Sequence, residues 1–307
     1  MRLRVLDLDG SLREQPALKE AIGEGSAQVI DFAAERDALR LWASRRRMRD
    51  FAGRIGALAA PAGKGPDVTF LGSGDFHHLT YALIARAPTP LTVLHFDNHP
   101  DWVRLPPAFH CGSWINRLLE LPHVMRIVTV GPCGSDLDLP QLKGGNLGAL
   151  ADGRLELYPW RHGPSRVWGR IGSGAGHRRE GDHLVWRCVG DDGWPAFLDD
   201  LVSRLPTDAV WITIDKDVLR PEDAATNWDQ GEMPLAALVA ALKTVAGAKR
   251  VAGIDVCGEY APPAFVNPLK RIAARLDHLR AKGAEPDVAR NARTNAILLT
   301  TLREVAA

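Results

Sequence analysis

The chain is poor in cysteine, and its few thiols are not clustered. They are Cys111, Cys133, Cys188 and Cys257. Without a CxxC pair or a dense spacing they suggest neither a disulfide framework nor a zinc site built on thiols. Free thiols are typical of a reducing compartment, so we expect a cytoplasmic protein. The apolar N-terminal segment is interrupted by Asp7 and Asp9, which argues against a secretory signal.

The chain also lacks an excess of charge of either sign and any long hydrophobic run. Lys plus Arg number 38 and Asp plus Glu number 37, for a net charge of +1. Nucleic-acid and membrane-surface binding both favour a basic excess, so we expect neither partner. No apolar stretch approaches the roughly 18 residues that a membrane helix needs. The 46% apolar content is ordinary for a soluble globular protein.

Short apolar runs recur along the chain with the length of buried strands, and most show no polar alternation. They are Leu3–Leu8, Val68–Leu71, Leu91–Phe96, Arg126–Val130, Ala209–Ile214 and Arg250–Val256. Segments with helical periodicity are Leu79–Ala87, Ser113–Leu121, Pro195–Leu205, Met233–Ala246, Leu269–Arg280 and Val288–Val305. The alternation predicts an α/β fold with a parallel sheet covered on both faces. The stretch from Pro140 to Gly193 is instead interpreted as one or two short strands joined by long loops.

Acids and histidines come directly after three of the predicted strands. One strand leads into GSGDFHH, which contains His77 and His78. The next leads into DNHPD, at positions 97–101, and a later one leads into DKD, at positions 215–217. The carboxyl ends of parallel strands meet at one crevice, and alternate residues of an extended segment face the same way. We therefore expect these side chains to converge.

The converging set contains four carboxylates and two or three imidazoles. Carboxylates crowded in a low-dielectric crevice repel one another by several kcal/mol unless cations lie among them. Two divalent ions would neutralise them, and an oxygen-rich set with histidines suits manganese, with iron, cobalt, nickel or zinc as alternatives. Each motif alone could be an ordinary polar loop or turn. Their combination favours a metal site that activates water for hydrolysis.

These motifs resemble those of the ureohydrolase family, which includes arginase and agmatinase. The family's Asp-Ala-His-x-Asp is matched by DNHPD, its Asp-x-Asp-x-x-Asp-Pro by DKDVLRP, and its Gly-Gly-Asp-His-Ser loosely by GSGDFHH, in the right order. The resemblance spans roughly residues 66 to 263. It implies a three-layer α/β/α sandwich with a mainly parallel sheet, a single arginase-like metallohydrolase domain over residues 1–307, and assembly as a homo-oligomer.

The resemblance also implies a ligand set for two divalent metal ions, with Mn²⁺ expected. Carried over position by position, one ion would be bound by His77, Asp97, Asp101 and Asp215. The other would be bound by His99, Asp97, Asp215 and Asp217. A metal-bridging hydroxide, which Asp101 could hold, would attack the guanidinium carbon of the substrate and release urea and an amine.

Four further residues are candidates for contact with the substrate. His110, in the segment FHCG, resembles the histidine that shuttles protons in the family, and its ordinary pKa suits that role, although a loop or cap role fits equally. Glu259 resembles the glutamate that pairs with the guanidinium, although it could also be a surface acid. Asn227 and Trp228 lie where the family has a glycine- and threonine-rich stretch.

Several positions depart from the family pattern. Arg220 replaces the aspartate before Pro221, Glu259 comes one residue late, and the loop between Asp101 and His110 is short and apolar. These departures favour a small guanidino substrate other than arginine. A formimino or acyl-amine substrate, or a non-catalytic member of the family, are the alternatives. A guanidinium requires a carboxylate and a neutral amide does not, so Glu259 discriminates between the first two.

Overall fold

The computed structural model describes residues 1–57, 65–107, 109–190, 193–278 and 287–306. Its strands are β1 (Arg2–Asp7), β2 (Ala27–Asp31), β3 (Trp42–Ala43), β4 (Asp67–Phe70), β5 (Leu91–Phe96), β6 (Phe109–His110), β7 (Val124–Val130), β8 (Leu155–Tyr158), β9 (Ser165–Arg166), β10 (His177–Glu180), β11 (His183–Trp186), β12 (Ala209–Asp215) and β13 (Arg250–Cys257). Its α-helices are α1 (Pro16–Gly23), α2 (Arg36–Leu39), α3 (Arg45–Ala57), α4 (Thr80–Ile84), α5 (Ile115–Leu118), α6 (Leu147–Ala151), α7 (Trp194–Arg204), α8 (Leu235–Ala248), α9 (Pro268–Asp277) and α10 (Val288–Val305).

Eight of the strands form one sheet in the order β2-β1-β4-β13-β12-β5-β7-β8. Every neighbouring pair in this sheet is parallel. Their carboxyl ends therefore lie along one edge, and the centre of that edge is formed by β13, β12 and β5. Two small antiparallel sheets, β10-β11-β9 and β3-β6, complete the strands of the described residues.

Helices cover both faces of the large sheet because its strands are apolar on both sides. Consecutive residues of β5 belong to different cores: Leu94 packs with α1, α7, α8 and α10, whereas Val93 packs with α3, α4, α5 and α6. Burial on two faces explains the continuous apolar runs of the strands. The predicted three-layer α/β fold is confirmed. None of the described helices has the length and apolar character to cross a membrane.

Several helices begin where a side chain can bond to their free backbone N–H groups. Asn146 caps α6 by accepting from the N–H of Ala149, and Asn267 caps α9 by accepting from that of Leu269. Asp287 caps α10 by accepting from the N–H of Arg290. These caps fix helix starts that the periodicity alone locates only approximately.

The region from Pro140 to Gly193 is the part of the fold that was predicted wrongly. It contains α6 and four strands, β8 to β11, rather than one or two. The strand β10 is rich in charge and has little apolar signal, and it pairs with β11 through a tight turn at Gly181, whose φ is +58°. Strand β2 and helices α1 and α3 were also not predicted. The last two residues of the predicted helix Leu269–Arg280 lie outside the described residues.

Candidate metal centre

The sheet brings two of the predicted motifs together directly. Strands β5 and β12 are neighbours, with Phe96 opposite Ile214, so Asp97 and Asp215 leave the sheet at adjacent points of the same edge. The third motif lies in the 3₁₀ turn Gly74–Leu79 that follows β4 and carries His77. A Cβ at Gly74 would lie 2.6 Å from Asp215 Oδ2, which explains why that turn can approach so closely.

The first group of candidate ligands surrounds the ring of His77. Its Nδ1 lies 2.9 Å from Asp97 Oδ2, 3.6 Å from Asp101 Oδ2 and 3.7 Å from Asp215 Oδ2. The ring is buried, and this nitrogen makes no hydrogen bond with the described residues. This nitrogen lies near three carboxylate oxygens but does not have the geometry of a hydrogen bond to them. A cation shared by the nitrogen and the oxygens would require this arrangement.

The second group surrounds His99. Its Nδ1 lies 3.0 Å from Asp217 Oδ2 and 3.4 Å from Asp97 Oδ1. The ligand atoms of these three residues all lie within 4.8 Å of one another. Asp97 contributes one oxygen to each group and therefore connects the two.

Partners behind the imidazoles set their orientation. Nε2 of His77 lies 2.8 Å from the hydroxyl of Thr213, which donates to Asp255 at 2.8 Å. Because that hydroxyl proton is committed to Asp255, Thr213 accepts from Nε2–H, and this contact turns Nδ1 of His77 towards the carboxylates. Nε2 of His99 lies 3.0 Å from Asp229 Oδ1, so a carboxylate orients this ring where a hydroxyl orients that of His77.

The carboxylates of this site perturb one another strongly. Burial together with the charge of Asp97 raises the pKa of Asp101 well above its usual value. Burial and the charges of Asp215 and Asp97 do the same to the pKa of Asp217. Asp97 is the exception: burial opposes its ionisation, but His95 and the hydrogen bonds from neighbouring histidines lower its pKa well below the usual range. The protein alone therefore leaves this set of acids short of positive charge, and divalent cations fit the deficit.

A cavity of about 220 Å³ opens onto both groups. The six candidate ligands that line it are His77, Asp97, His99, Asp101, Asp215 and Asp217. Its remaining walls include Trp102, His110, Trp228 and Asp229. Trp228 is fixed by donating its indole N–H to Asp75 at 3.1 Å. The structure thus brings every predicted metal ligand to one place.

His110 lies in the cavity wall in a defined orientation. Its Nδ1 accepts from the backbone N–H of Gly112 at 3.0 Å, and its ring stacks on Trp42 with centroids 5.9 Å apart. Burial lowers its pKa to about 4, aided by the positive charge of Lys270 and opposed by Asp75. The ring is therefore neutral at pH 7, with its proton on Nε2.

Two predicted substrate contacts lie elsewhere. Among the described residues, Glu259 and Asn227 do not line the cavity. Glu259 is buried in an ion pair with Lys216 and accepts further hydrogen bonds from two amides of α10. Asn227 exchanges hydrogen bonds with the backbone of Ala261. The preceding residue, Gly258, is the one that lies against the ligand group, since a Cβ there would be 2.4 Å from Asp215 Oδ1.

Several polar residues at the site were not predicted, and three of them contact a candidate ligand directly. His95 bonds to Asp97 at 2.9 Å, and its position two residues earlier on the same strand was a usable signal. Asp229 is bonded to His99 from a loop, and loop positions carry no such periodicity. Cys257 lies beside Asp215 through the register of β12 and β13, which the sequence does not contain.

The fold and the acidic cavity together define an α/β protein of the arginase-like class. An arginase from Bacillus subtilis has a TM-score of 0.57 at 14% identity, covering 98% of this chain and 98% of that one. Proclavaminate amidino hydrolase from Streptomyces clavuligerus has a TM-score of 0.56 at 16% identity, covering 95% and 92%. Formimidoylglutamase from Bacillus subtilis has a TM-score of 0.56 at 16% identity, covering 97% and 87%. The chain therefore has the fold of the ureohydrolases in a divergent sequence.

Sequence comparison adds one relative. An uncharacterized protein from Thermotoga maritima is 29% identical over 198 residues, which cover 64% of this chain and 60% of that protein. The matched region is thus less than two thirds of the relative's length. No family model matches the chain.

Proposed function

We propose that this chain is a metal-dependent hydrolase of C–N bonds that holds two divalent cations. The ligands would be His77, Asp97, His99, Asp101, Asp215 and Asp217. The observation that carries the proposal is the convergence of these six buried or nearly buried side chains on one cavity. Four carboxylates carry four negative charges, and two divalent cations would balance them. Bound there, the cations would supply a water of lowered pKa as the nucleophile near neutral pH.

Residues of the chain would then handle the proton and the leaving group. Asp101 accepts a hydrogen bond from the indole N–H of Trp114 at 2.6 Å, which would hold its carboxylate in the cavity wall in place to take a proton from the nucleophile. His110, neutral at pH 7, offers an Nε2–H hydrogen bond to the departing nitrogen rather than a proton. The proton held by Asp101 is the one available to the leaving amine.

We propose a small guanidino compound as the substrate. Besides the ligands, the described cavity wall contains the carboxylates of Asp136 and Asp229 against the single ammonium of Lys143, and this excess of negative charge favours a cationic group. Trp102 and Trp228 supply apolar and aromatic walls against which a planar cation can pack. Hydrolysis at the guanidinium carbon would give urea and an amine, as the names of two structural neighbours with this fold suggest.

A formimino or acyl-amine substrate is the second candidate. It is favoured by the position of Glu259, which lies against Lys216 instead of facing the cavity. A guanidinium would therefore meet no carboxylate at the place where the family resemblance implies one. The amide of an acyl-amine is neutral and a formimino group is less basic than a guanidinium, so neither depends as strongly on that carboxylate.

The ligand set, taken as these six residues, suits manganese because it is rich in oxygen and imidazole. We also propose a cytoplasmic location, because all four cysteines are free thiols. A single domain over residues 1–307 and assembly as a homo-oligomer stay predictions from the resemblance.

The proposal is tested by metal analysis joined to product analysis. Protein purified without chelator and loaded with manganese is assayed by inductively coupled plasma mass spectrometry and then offered guanidino, formimino and acyl-amine compounds. Two metals per chain with release of urea would support the guanidino substrate. Two metals with release of formamide or ammonia from a formimino compound, or of a carboxylate and an amine from an acyl-amine, would select the second candidate. Failure to retain metal after loading would overturn the site.

A further inference from the structure

A thiol lies beside the first group of ligands. Cys257 is the last residue of β13 and is paired in register with Asp215 of β12, so the two side chains leave the sheet at the same level. Its Sγ lies 3.1 Å from Asp215 Oδ2, and the residue is 1% exposed. The thiol is therefore directed at the ligand carboxylate from the side of the sheet, behind the cavity wall.

His77 completes a compact triad with these two residues. Its buried Nδ1, unpartnered by the described residues, lies 3.7 Å from the same oxygen of Asp215. The ligand atoms of His77, Asp215 and Cys257 all lie within 4.8 Å of one another. Donor atoms that each lie about 2.0–2.3 Å from one cation are separated from each other by roughly 3–4 Å, so the two measured distances fit a shared ion.

We propose that Cys257 is a thiolate ligand of the cation held by His77 and Asp215, and that this ion is therefore zinc, cobalt or iron(II) in preference to manganese. The inference rests on the metal site proposed above. Soft sulfur donors favour these metals, whereas manganese favours oxygen. Ligation breaks the S–H bond, releases the proton to solvent and forms a sulfur–metal bond, with no change of oxidation state.

The competing interpretation is that Cys257 only donates its S–H to Asp215. A Cys257→Ser variant distinguishes the two, because the serine hydroxyl can still donate that hydrogen bond but is a poor donor to a soft ion. Cys111→Ser tests a thiol that lines the cavity itself. Cys188→Ser is a matched control, since Cys188 bonds to the backbone of His162 at 3.4 Å, away from the cavity.

The experiment is a cobalt(II) titration of the full-length chain after removal of metal, followed by absorption spectroscopy and metal analysis. The wild-type protein, Cys111→Ser and Cys188→Ser should each bind two cobalt ions and show a thiolate-to-cobalt charge-transfer band in the near ultraviolet. Cys257→Ser should bind cobalt without that band. In competition, its preference for zinc over manganese should fall about tenfold or more.

A band that persists in Cys257→Ser, or that disappears in Cys111→Ser, would overturn the assignment. Two cobalt ions in the wild-type protein without any thiolate band would overturn the thiolate ligand while leaving the proposed metal site intact. No cobalt binding would overturn both. X-ray absorption at the zinc edge decides the case on the wild-type protein alone if the variant does not fold: a sulfur neighbour at about 2.3 Å is expected, and a shell of only oxygen and nitrogen would contradict the proposal.

Discussion

Asp215 and Lys216 are adjacent in the chain but belong to two different polar networks at the edge of the sheet. Asp215 faces the cavity among other acids, where the negative charge of the carboxylates exceeds the positive charge that the protein supplies. Lys216 is fully buried on the other side and forms an ion pair with Glu259. Asn291 and Asn295 of α10 donate further hydrogen bonds to that glutamate.

The comparison shows two ways in which a protein can bury charge. The network around Lys216 pairs its one cation with one anion and adds amide hydrogen bonds, so it is complete without any partner. The cavity cluster places like charges together, and its carboxylates can all be ionised and compensated only with cations from outside. A self-sufficient network supports the fold, whereas an incomplete one implies a ligand.

The largest effect is expected from removing a charge of the incomplete network. Asp215→Asn should reduce bound metal to one ion per chain or none and bring hydrolysis down to background, because the charged carboxylate beside His77 is lost. Folding should be retained, since the variant lowers the repulsion among the acids. Metal analysis and turnover are measured beside Asp138→Asn, which alters an exposed carboxylate. Normal turnover with two metals would contradict the comparison.

Breaking the complete network should act on stability instead. Glu259→Gln leaves the ammonium of Lys216 buried without its counter-ion, which we expect to cost about 3–5 kcal/mol in the free energy of unfolding. Metal content should stay at two ions per chain. Urea denaturation measures the effect, and Glu222→Gln, at an exposed site, is the control. The double variant with Lys216→Met should recover part of the loss, because the unpaired charge is gone.

If Glu259→Gln instead left stability unchanged but weakened the binding of substrate, Glu259 would have the role suggested by the family resemblance. The two networks could then not be separated in function. The measured KM for the substrate identified by product analysis, compared between the variant and the wild-type protein, distinguishes the outcomes.

The sequence was enough to predict the sheet and the convergence of the candidate ligands for a physical reason. The runs that became β5 and β12 are apolar on both faces and are followed at once by acids, so the strand ends and the site coincide in the chain. Pairing by register is different, because it is a property of the assembled sheet. The contact of Cys257 with Asp215 therefore could not be predicted from the chain alone.

Glu259 shows a second limit of the sequence. Its position after β13 suggests a residue at the edge of the cavity, but the backbone turns at Gly258, whose φ is +89°. The buried Lys216 then pairs with the carboxylate, and this preference depends on a contact between residues 43 positions apart. A one-residue delay relative to the family motif thus changed the direction of the side chain.

A smaller effect should follow from changing the partner of a ligand rather than the ligand itself. Asp229→Asn removes the charge that faces Nε2 of His99, so the ring should be a weaker and less oriented donor. We expect the affinity for one of the two metals to fall about 10–100-fold while both still bind at high concentration. Titration of metal-free protein measures this. An unchanged affinity would mean that Asp229 acts on the substrate and not on the metal.

The smallest effect concerns Asp75, a buried carboxylate whose negative charge is balanced by other side chains of the protein, as that of Glu259 is balanced by Lys216. Burial opposes the ionisation of Asp75, but the hydrogen bond with His278 and the charge of Arg40 lower its pKa to about 2. Because the folded pKa lies below the unfolded one, ionised Asp75 stabilises the fold above about pH 4, and this stabilisation is lost as the pH falls towards 2. The shift corresponds to about 2 kcal/mol.

The measurement is the difference in unfolding free energy between the wild-type protein and Asp75→Asn, taken from pH 6 downwards with and without chelator. The difference should shrink as the pH falls below about 4, and chelator should leave its pH dependence unchanged, because the compensating charges are Arg40 and His278 and not metal ions. A pH dependence that vanished with chelator would place Asp75 in the incomplete network. Asp75 would then belong with the acids of the cavity, next to His77 in the same 3₁₀ turn, and not with the charges that the protein compensates itself.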